Sequence, residues 1–211
     1  MTAANRTKKE IVSEFRRAGI LKAARKVFAR RGFEGATMDE VAEACSIAKG
    51  TLYLYFKSKR QIYMGVFKED LQLLRETSQR AIDAAKTPGE KIRAFVTARL
   101  AFCDSHNNSF RIYNSDISAA LMRPHPTQKE IKEFYFEQAS VLEKLIEAGI
   151  RAGELRDVPP RATAFSIYDM TRSMVSRRVL GLANNSSPEV EASNLIDLIW
   201  LGIGKEHRKS V

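Results

Sequence analysis

The sequence predicts an all-α chain of about nine helices, with a small basic N-terminal unit of three helices followed by a larger helical region. Three observations carry this expectation. Apolar residues recur at helical spacing almost throughout. Only six prolines and eleven glycines punctuate the chain, most of them between periodic segments. The positive charge is also uneven: residues 1–60 hold 14 Lys/Arg against 6 Asp/Glu, whereas the other 151 residues hold 21 against 19. With 211 residues and 44% hydrophobic composition, the chain is long enough to bury a core.

The first helix is expected from about Glu14 to Arg31. Ile20, Leu21, Ala24, Val27 and Phe28 share one face, the cations lie elsewhere, and Gly32 stops it. The next opens at "TMDE", where Thr37 can cap free backbone N–H groups and Glu40 can reach back, a capping box. Val41, Ala42 and Cys45 supply its inward face. "SKRQ" repeats the cap pattern with Ser58 and Gln61 and starts a long amphipathic helix towards Ala85, and "TPGE" at 87–90 reads as a turn. Further helices are expected over about 90–105, 109–122, 127–152, 160–181 and 188–204, separated by "RPHP", "DVPP" and "NNSSP".

Between the second and fourth helices lies "KGTLYLYFKSK", residues 49–59, whose alternating pattern mimics a strand. A strand of that length wedged between capped helices would lack a partner, so a short helix is the better reading. Leu52, Tyr55 and Phe56 then share one side, and Lys49, Gly50, Tyr53, Leu54 and Lys57 spread over the other. Gly50 in the first turn allows close approach to an anion that the helix's free N–H groups also favour. Tyrosine hydroxyls reach phosphate oxygens. Lys49 can donate to guanine O6 or N7, and Thr51 or Leu54 can meet a thymine methyl. This is little direct readout, so DNA shape is expected to carry part of the specificity.

At these residues the sequence resembles the TetR family of bacterial transcriptional regulators, through "ILKAARKVFARRGFEGATMDEVAEACSIAKGTLYLYFKSKRQIY", residues 20–63. The later two thirds resemble it in helical layout and in "RAGELRDVPP". The resemblance implies a helix-turn-helix DNA-binding domain over residues 14–60, preceded by a basic segment at 1–13 and followed by an effector-binding and dimerisation domain over 61–211. It also implies phosphate contacts from Thr37, Thr51, Tyr53, Tyr55 and Lys59, with Lys49 and Gly50 nearest the bases. Two positions depart from the family pattern. Ser46 stands where glycine is common, so it must adopt a left-handed conformation at a cost. Ala48 stands where a serine would cap the recognition helix, a loss of typically about 1 kcal/mol. The cations Arg6, Lys8, Lys9, Arg16 and Arg17 fit either an arm in the minor groove or a solvated tail.

Large side chains at Phe95, Phe102, Phe110, Tyr113, Met122, Phe134 and Tyr168 supply a core by their spacing. The resemblance implies that some of them enclose a small, largely apolar effector. The final helix is apolar in nearly every direction. A second copy of the chain is expected to cover it, in a two-fold seam using Met174, Val175, Leu195, Leu198, Ile199 and Leu201. A homodimer on a palindromic operator in double-stranded DNA follows, with repression as the family's habit. A DNA-binding module without an effector, or one regulated by a protein, is the alternative.

Two cysteines without CxxC spacing and three histidines suggest neither a disulfide framework nor a zinc cluster. No catalytic pattern points to an enzyme, and no cofactor or metal is expected. No apolar run approaches the roughly 18 residues of a membrane span, so a cytoplasmic protein without membrane contact is expected.

Overall fold

The computed structural model describes residues 7–106, 128–182 and 186–203. Among the described residues there are eight helices and no strand. They are α1 (Lys8–Gly35), α2 (Met38–Ala44), α3 (Lys49–Tyr55), α4 (Lys59–Ala84), α5 (Pro88–Ser105), α6 (Gln128–Arg151), α7 (Pro160–Val179) and α8 (Pro188–Ile203). The helix expected over 109–122 lies outside the described residues.

Three boundaries differ from the sequence reading, each for a local reason. α1 begins at Lys8 because Thr7 and Glu10 form a capping box, so the basic residues Lys8, Lys9, Arg16 and Arg17 are helical. Gly32, at φ +69°, breaks the regular geometry, and a further turn then runs to Gly35. "TPGE" is the first turn of α5: Thr87 and Glu90 form a capping box and Pro88 occupies the first helical position. The other expected caps form as read at Thr37 with Glu40. Ser58 accepts from the Gln61 N–H (3.3 Å), but Gln61 Oε1 takes the N–H of Lys57 (2.8 Å) instead of closing the box on Ser58.

Two apolar cores follow from the helical faces. The first joins Ile20, Ala24, Val27 and Phe28 of α1 to Val41, Leu52, Phe56 and the start of α4 at Ile62, Tyr63, Val66 and Phe67. Ile131 of α6 completes it. The second surrounds α5, which packs against α4, α6, α7 and α8 and contributes Ile92, Phe95, Val96, Leu100 and Cys103. Between them Leu74, Phe102 and Phe134 form a small linking cluster. α4 therefore belongs to both cores, and burying each such Phe or Leu contributes about 1.5–3 kcal/mol. α1 meets α4 closely at Gly65, where an added Cβ would lie 2.7 Å from Leu21 Cδ2. Nearby, Arg25 Nε donates to the buried Asp70 carboxylate (3.0 Å).

Candidate nucleic-acid interface and C-terminal helical core

A helix of seven residues is unstable alone, so α3 owes its existence to its surroundings. Leu52 and Phe56 anchor it in the first core. Arg17 of α1 holds its end from outside, with its guanidinium 4.2 Å from the Phe56 ring centre and Nη1 donating to the Tyr55 carbonyl. The turn from α2 is closed by backbone bonds from Ser46 to Glu43 (2.9 Å) and from Ile47 to Ala42 (3.1 Å). Ser46 adopts φ +55°, the only positive φ of a non-glycine residue among those described. Ala48 caps α3 with no side-chain hydrogen bond. Both departures from the family pattern thus have the local consequence read from sequence.

The outward face carries Lys49, Gly50, Tyr53 and Leu54, all exposed, with Thr51 and Tyr55 half-buried at its edges. Leu54 is 75% exposed, which has no value to an isolated fold. Thr37 lies exposed at the start of α2, its hydroxyl accepting from the Glu40 N–H (3.2 Å). Lys49 Nζ rests on Asp39, at 2.7 Å from Oδ1, and the Asp39 hydrogen bond raises the lysine's pKa above its ordinary value. Lys59 Nζ turns back to the Glu34 carbonyl (3.0 Å) over the Phe33 ring (4.6 Å). Lys57 Nζ donates to the Tyr53 carbonyl (3.0 Å).

The first turns of α1 border this face. Lys8, Lys9, Val12 and Ser13 line one groove with Leu54 and Tyr55, while Ile11, Val12 and Phe15 are exposed, Phe15 at 78%. Sequence reasoning missed this apposition because it started the helix at about Glu14, after Lys8, Lys9, Val12 and Ser13.

Phe95 and Tyr168 are buried in the larger core, and Phe102 and Phe134 are buried in the linking cluster beside it. Phe110, Tyr113 and Met122 lie outside the described residues. Among the buried rings is a residue that the sequence reading did not select, Arg99, only 6% exposed. Its Cζ lies 5.3 Å from the Phe95 ring centre, 5.8 Å from that of Phe134 and 4.8 Å from that of Tyr168. Nη1 donates to Gln138 Oε1 (3.2 Å) and Nη2 to the Tyr168 hydroxyl (3.1 Å). The available signal was its register: Arg99 falls between Phe95, Val96, Phe102 and Cys103 on the inward stripe of α5. Next to it, the Tyr135 hydroxyl donates to Asp169 (3.0 Å), and burial first, then that bond, push Tyr135 up to about 12.

The expected seam residues divide. Met174, Val175, Leu195 and Ile199 are buried against their own chain. Leu198 and Leu201 are exposed at 63% and 88%, on the same side of α8 as the exposed Val190. Arg178 ties α7 to α5 and α8 through Asp104 and Glu191, Nη1 lying 3.0 Å from Glu191 Oε2. The neighbours Cys103, Asp104 and His106 do not converge: Cys103 is buried, Asp104 holds Arg178, and His106 stacks on Phe102 at 4.0 Å. Among the described residues no group of three His, Cys, Asp or Glu is arranged to hold a metal, and no helix is long and apolar enough to cross a membrane.

Comparison with known proteins agrees with this architecture. Residues 20–64 match the family model for bacterial regulatory proteins of the tetR family, and residues 85–176 match the model for a tetracyclin repressor-like C-terminal domain. The HTH-type transcriptional regulator YhgD of Bacillus subtilis is 28% identical over 156 residues, 74% of this chain and 80% of that protein. The fold is shared with the Bacillus subtilis transcriptional regulator FadR in complex with stearoyl-CoA (TM-score 0.76, 21% identity, 86% of this chain and 96% of that one). It is shared also with AibR in complex with isovaleryl coenzyme A and operator DNA (TM-score 0.70, 22% identity, 87% of this chain and 97% of that one). With both its N-terminal helices, here called the reader, and its C-terminal region matched, the chain belongs to the TetR family of bacterial transcriptional regulators.

Proposed function

We propose that this chain is a cytoplasmic, ligand-responsive repressor that binds a palindromic operator as a homodimer and is released by a small, largely apolar effector. The observation that carries the DNA-binding half is the outward face of α3, where a cation, a glycine, a tyrosine and an otherwise purposeless leucine stand exposed on a helix anchored by Leu52 and Phe56. In this reading residues 14–60 form the reading domain, with the helical start of α1 beside it, and residues 61–211 hold the effector and the dimer seam. Lys49 and Gly50 approach base edges. Thr37, Thr51, Tyr53 and Tyr55 contact phosphates, and Leu54 meets a thymine methyl. Lys49 must first leave Asp39, so readout is an exchange of partners. Lys59, committed to Glu34 and Phe33, supports the turn and offers its charge at longer range.

Dimerisation through the exposed stripe of α8, Leu198 and Leu201, would set two α3 helices for major grooves about 34 to 36 Å apart. Met174, Val175, Leu195 and Ile199 back that stripe from within each chain. An apolar effector is supported by the aromatic lining at Phe95, Phe102, Phe134 and Tyr168, and by the ligands of the similar folds, stearoyl-CoA on FadR and isovaleryl coenzyme A on AibR. α6 offers the route to the reader, since Phe134 and Gln138 touch the Arg99 site while Ile131, one turn earlier, sits in the reader's core. An effector that prefers one α6 position by typically 1–3 kcal/mol is enough to alter operator affinity. No enzymatic step belongs to this reading.

A gel shift with DNA from upstream of the chain's own gene tests it. Lys49→Ala is expected to alter preference among sequences, while Tyr53→Phe weakens all of them alike. Unchanged binding in both variants would show that α3 is not the reading face.

A further inference from the structure

Arg99 is a cation in the wrong place for a purely structural residue. It is 94% withdrawn from solvent, and among the described residues no carboxylate pairs with it. Among the described residues, two of its five N–H groups have acceptors, Gln138 and the Tyr168 hydroxyl, both neutral, and Nε has none. The rings of Phe95, Phe134 and Tyr168 offer their faces to the charge but accept no strong hydrogen bond. Burying a charge without a counter-ion is costly, and Leu or Met in this register would pack α5 without that cost.

We infer that Arg99 is the anchor for an anionic oxygen group on the ligand of this domain, with Phe95, Phe134 and Tyr168 flanking the apolar portion that follows it. The inference rests on the reading of this core as an effector chamber and narrows the ligand to an acid or an acid derivative that keeps anionic oxygens. A carboxylate accepts from Nε and the remaining Nη protons in the forked geometry that guanidinium favours. Gln138 holds the same guanidinium, which places the ligand's charge against α6, the helix that reaches the reader at Ile131.

The test uses the full chain as wild type, Arg99→Met and Arg99→Lys. The probes are butyrate, octanoate and palmitate, their methyl esters, and the corresponding acyl-CoA thioesters, followed by thermal shift and calorimetry. The expected result is stabilisation of the wild type by carboxylates or thioesters and not by esters. Binding should be weakened about tenfold to a hundredfold in Arg99→Met and partly retained in Arg99→Lys. Whether the free acids or the thioesters act identifies the anion as a carboxylate or as coenzyme A phosphate. Ligand-free Arg99→Met should melt no lower than wild type, because it removes a buried charge that no carboxylate among the described residues neutralises. The anchor is overturned if esters bind as well as acids, if Arg99→Met keeps full affinity, if no probe shifts the wild type, or if ligand-free Arg99→Met melts several degrees lower. Acid binding at Arg99 that leaves operator affinity unchanged would keep the anchor and reject the regulatory reading. Operator release by an uncharged compound alone would do the reverse.

Discussion

Arg75 of α4 and Glu137 of α6 form a two-pronged ion pair, with Nε 2.6 Å from Oε1 and Nη2 2.5 Å from Oε2. It joins the helix that enters the reader's core to the helix that touches Arg99, with Arg75 also 5.7 Å from the Phe134 ring centre. Both side chains are well solvated, so Arg75→Ala is expected to cost no more than about 1 kcal/mol of global stability. Its larger effect is expected on communication between chamber and reader. Operator affinity without ligand should stay close to wild type while the ligand's effect on it shrinks, measured by operator titrations with and without an active ligand. An unchanged ligand effect would remove this pair from the route.

The turn before α3 offers a gain. Ser46 at φ +55° carries a side chain where glycine is unstrained, so Ser46→Gly is expected to stabilise by about 1 kcal/mol, raising Tm by about 2–4 °C for a chain of this size. Ala48→Ser supplies the missing cap and should add about 0.5–2 kcal/mol. Thermal unfolding of each variant checks both, and a lower Tm for Ser46→Gly would mean that the serine hydroxyl has a role beyond its conformation.

Gly89 has no such freedom in the other direction. A Cβ there would lie 2.7 Å from Trp200 Cζ2 and 3.1 Å from Glu154 Oε2, the atom that accepts from the Gly89 N–H at 2.9 Å. Gly89→Ala is therefore expected to destabilise by about 1–3 kcal/mol by separating α5 from α8. Trp200 is the chain's only tryptophan, so its fluorescence should report that separation directly alongside the unfolding curve.

Cys103 is buried, and burial pushes its thiol up to about 12. Cys45 is also raised, by partial burial alone. An alkylating reagent at mildly alkaline pH should therefore modify Cys45 well before Cys103, as read by peptide mass. The linkage has a definite sign. The unfolded thiol ionises near its ordinary value, so the stability contributed by keeping Cys103 neutral is present below about pH 8.5. It is lost as pH rises towards about 12. Cys103→Ala should flatten that part of the alkaline stability profile, and an identical slope in the variant would assign it to other groups.

The sequence by itself determined the helices and the reader. Helical period and caps are local: Thr37 with Glu40 follows from residues within one turn of each other, whereas the left-handed Ser46 and the uncapped Ala48 were legible through the resemblance to the family pattern. The inward set of Leu52 and Phe56 follows from the same periodicity, and so does the outward set of Lys49, Gly50, Tyr53 and Leu54. Tertiary structure alone decided what those side chains meet. That Lys49 rests on Asp39, that Lys59 bends back to Glu34, and that Lys8 and Lys9 share a groove with Leu54 depend on how short helices cross. Whether Leu195 and Ile199 or Leu198 and Leu201 would be covered by their own chain depended on the placement of α8 against α5. Arg99 is the sharpest case. Its register placed it inward, but a charge's cost depends on its neighbours: Phe95 is on its own helix, whereas Phe134 and Gln138 come from α6 and Tyr168 from α7, the last two 39 and 69 residues away along the chain. Burial and pairing are properties of those distant contacts, which no local pattern encodes.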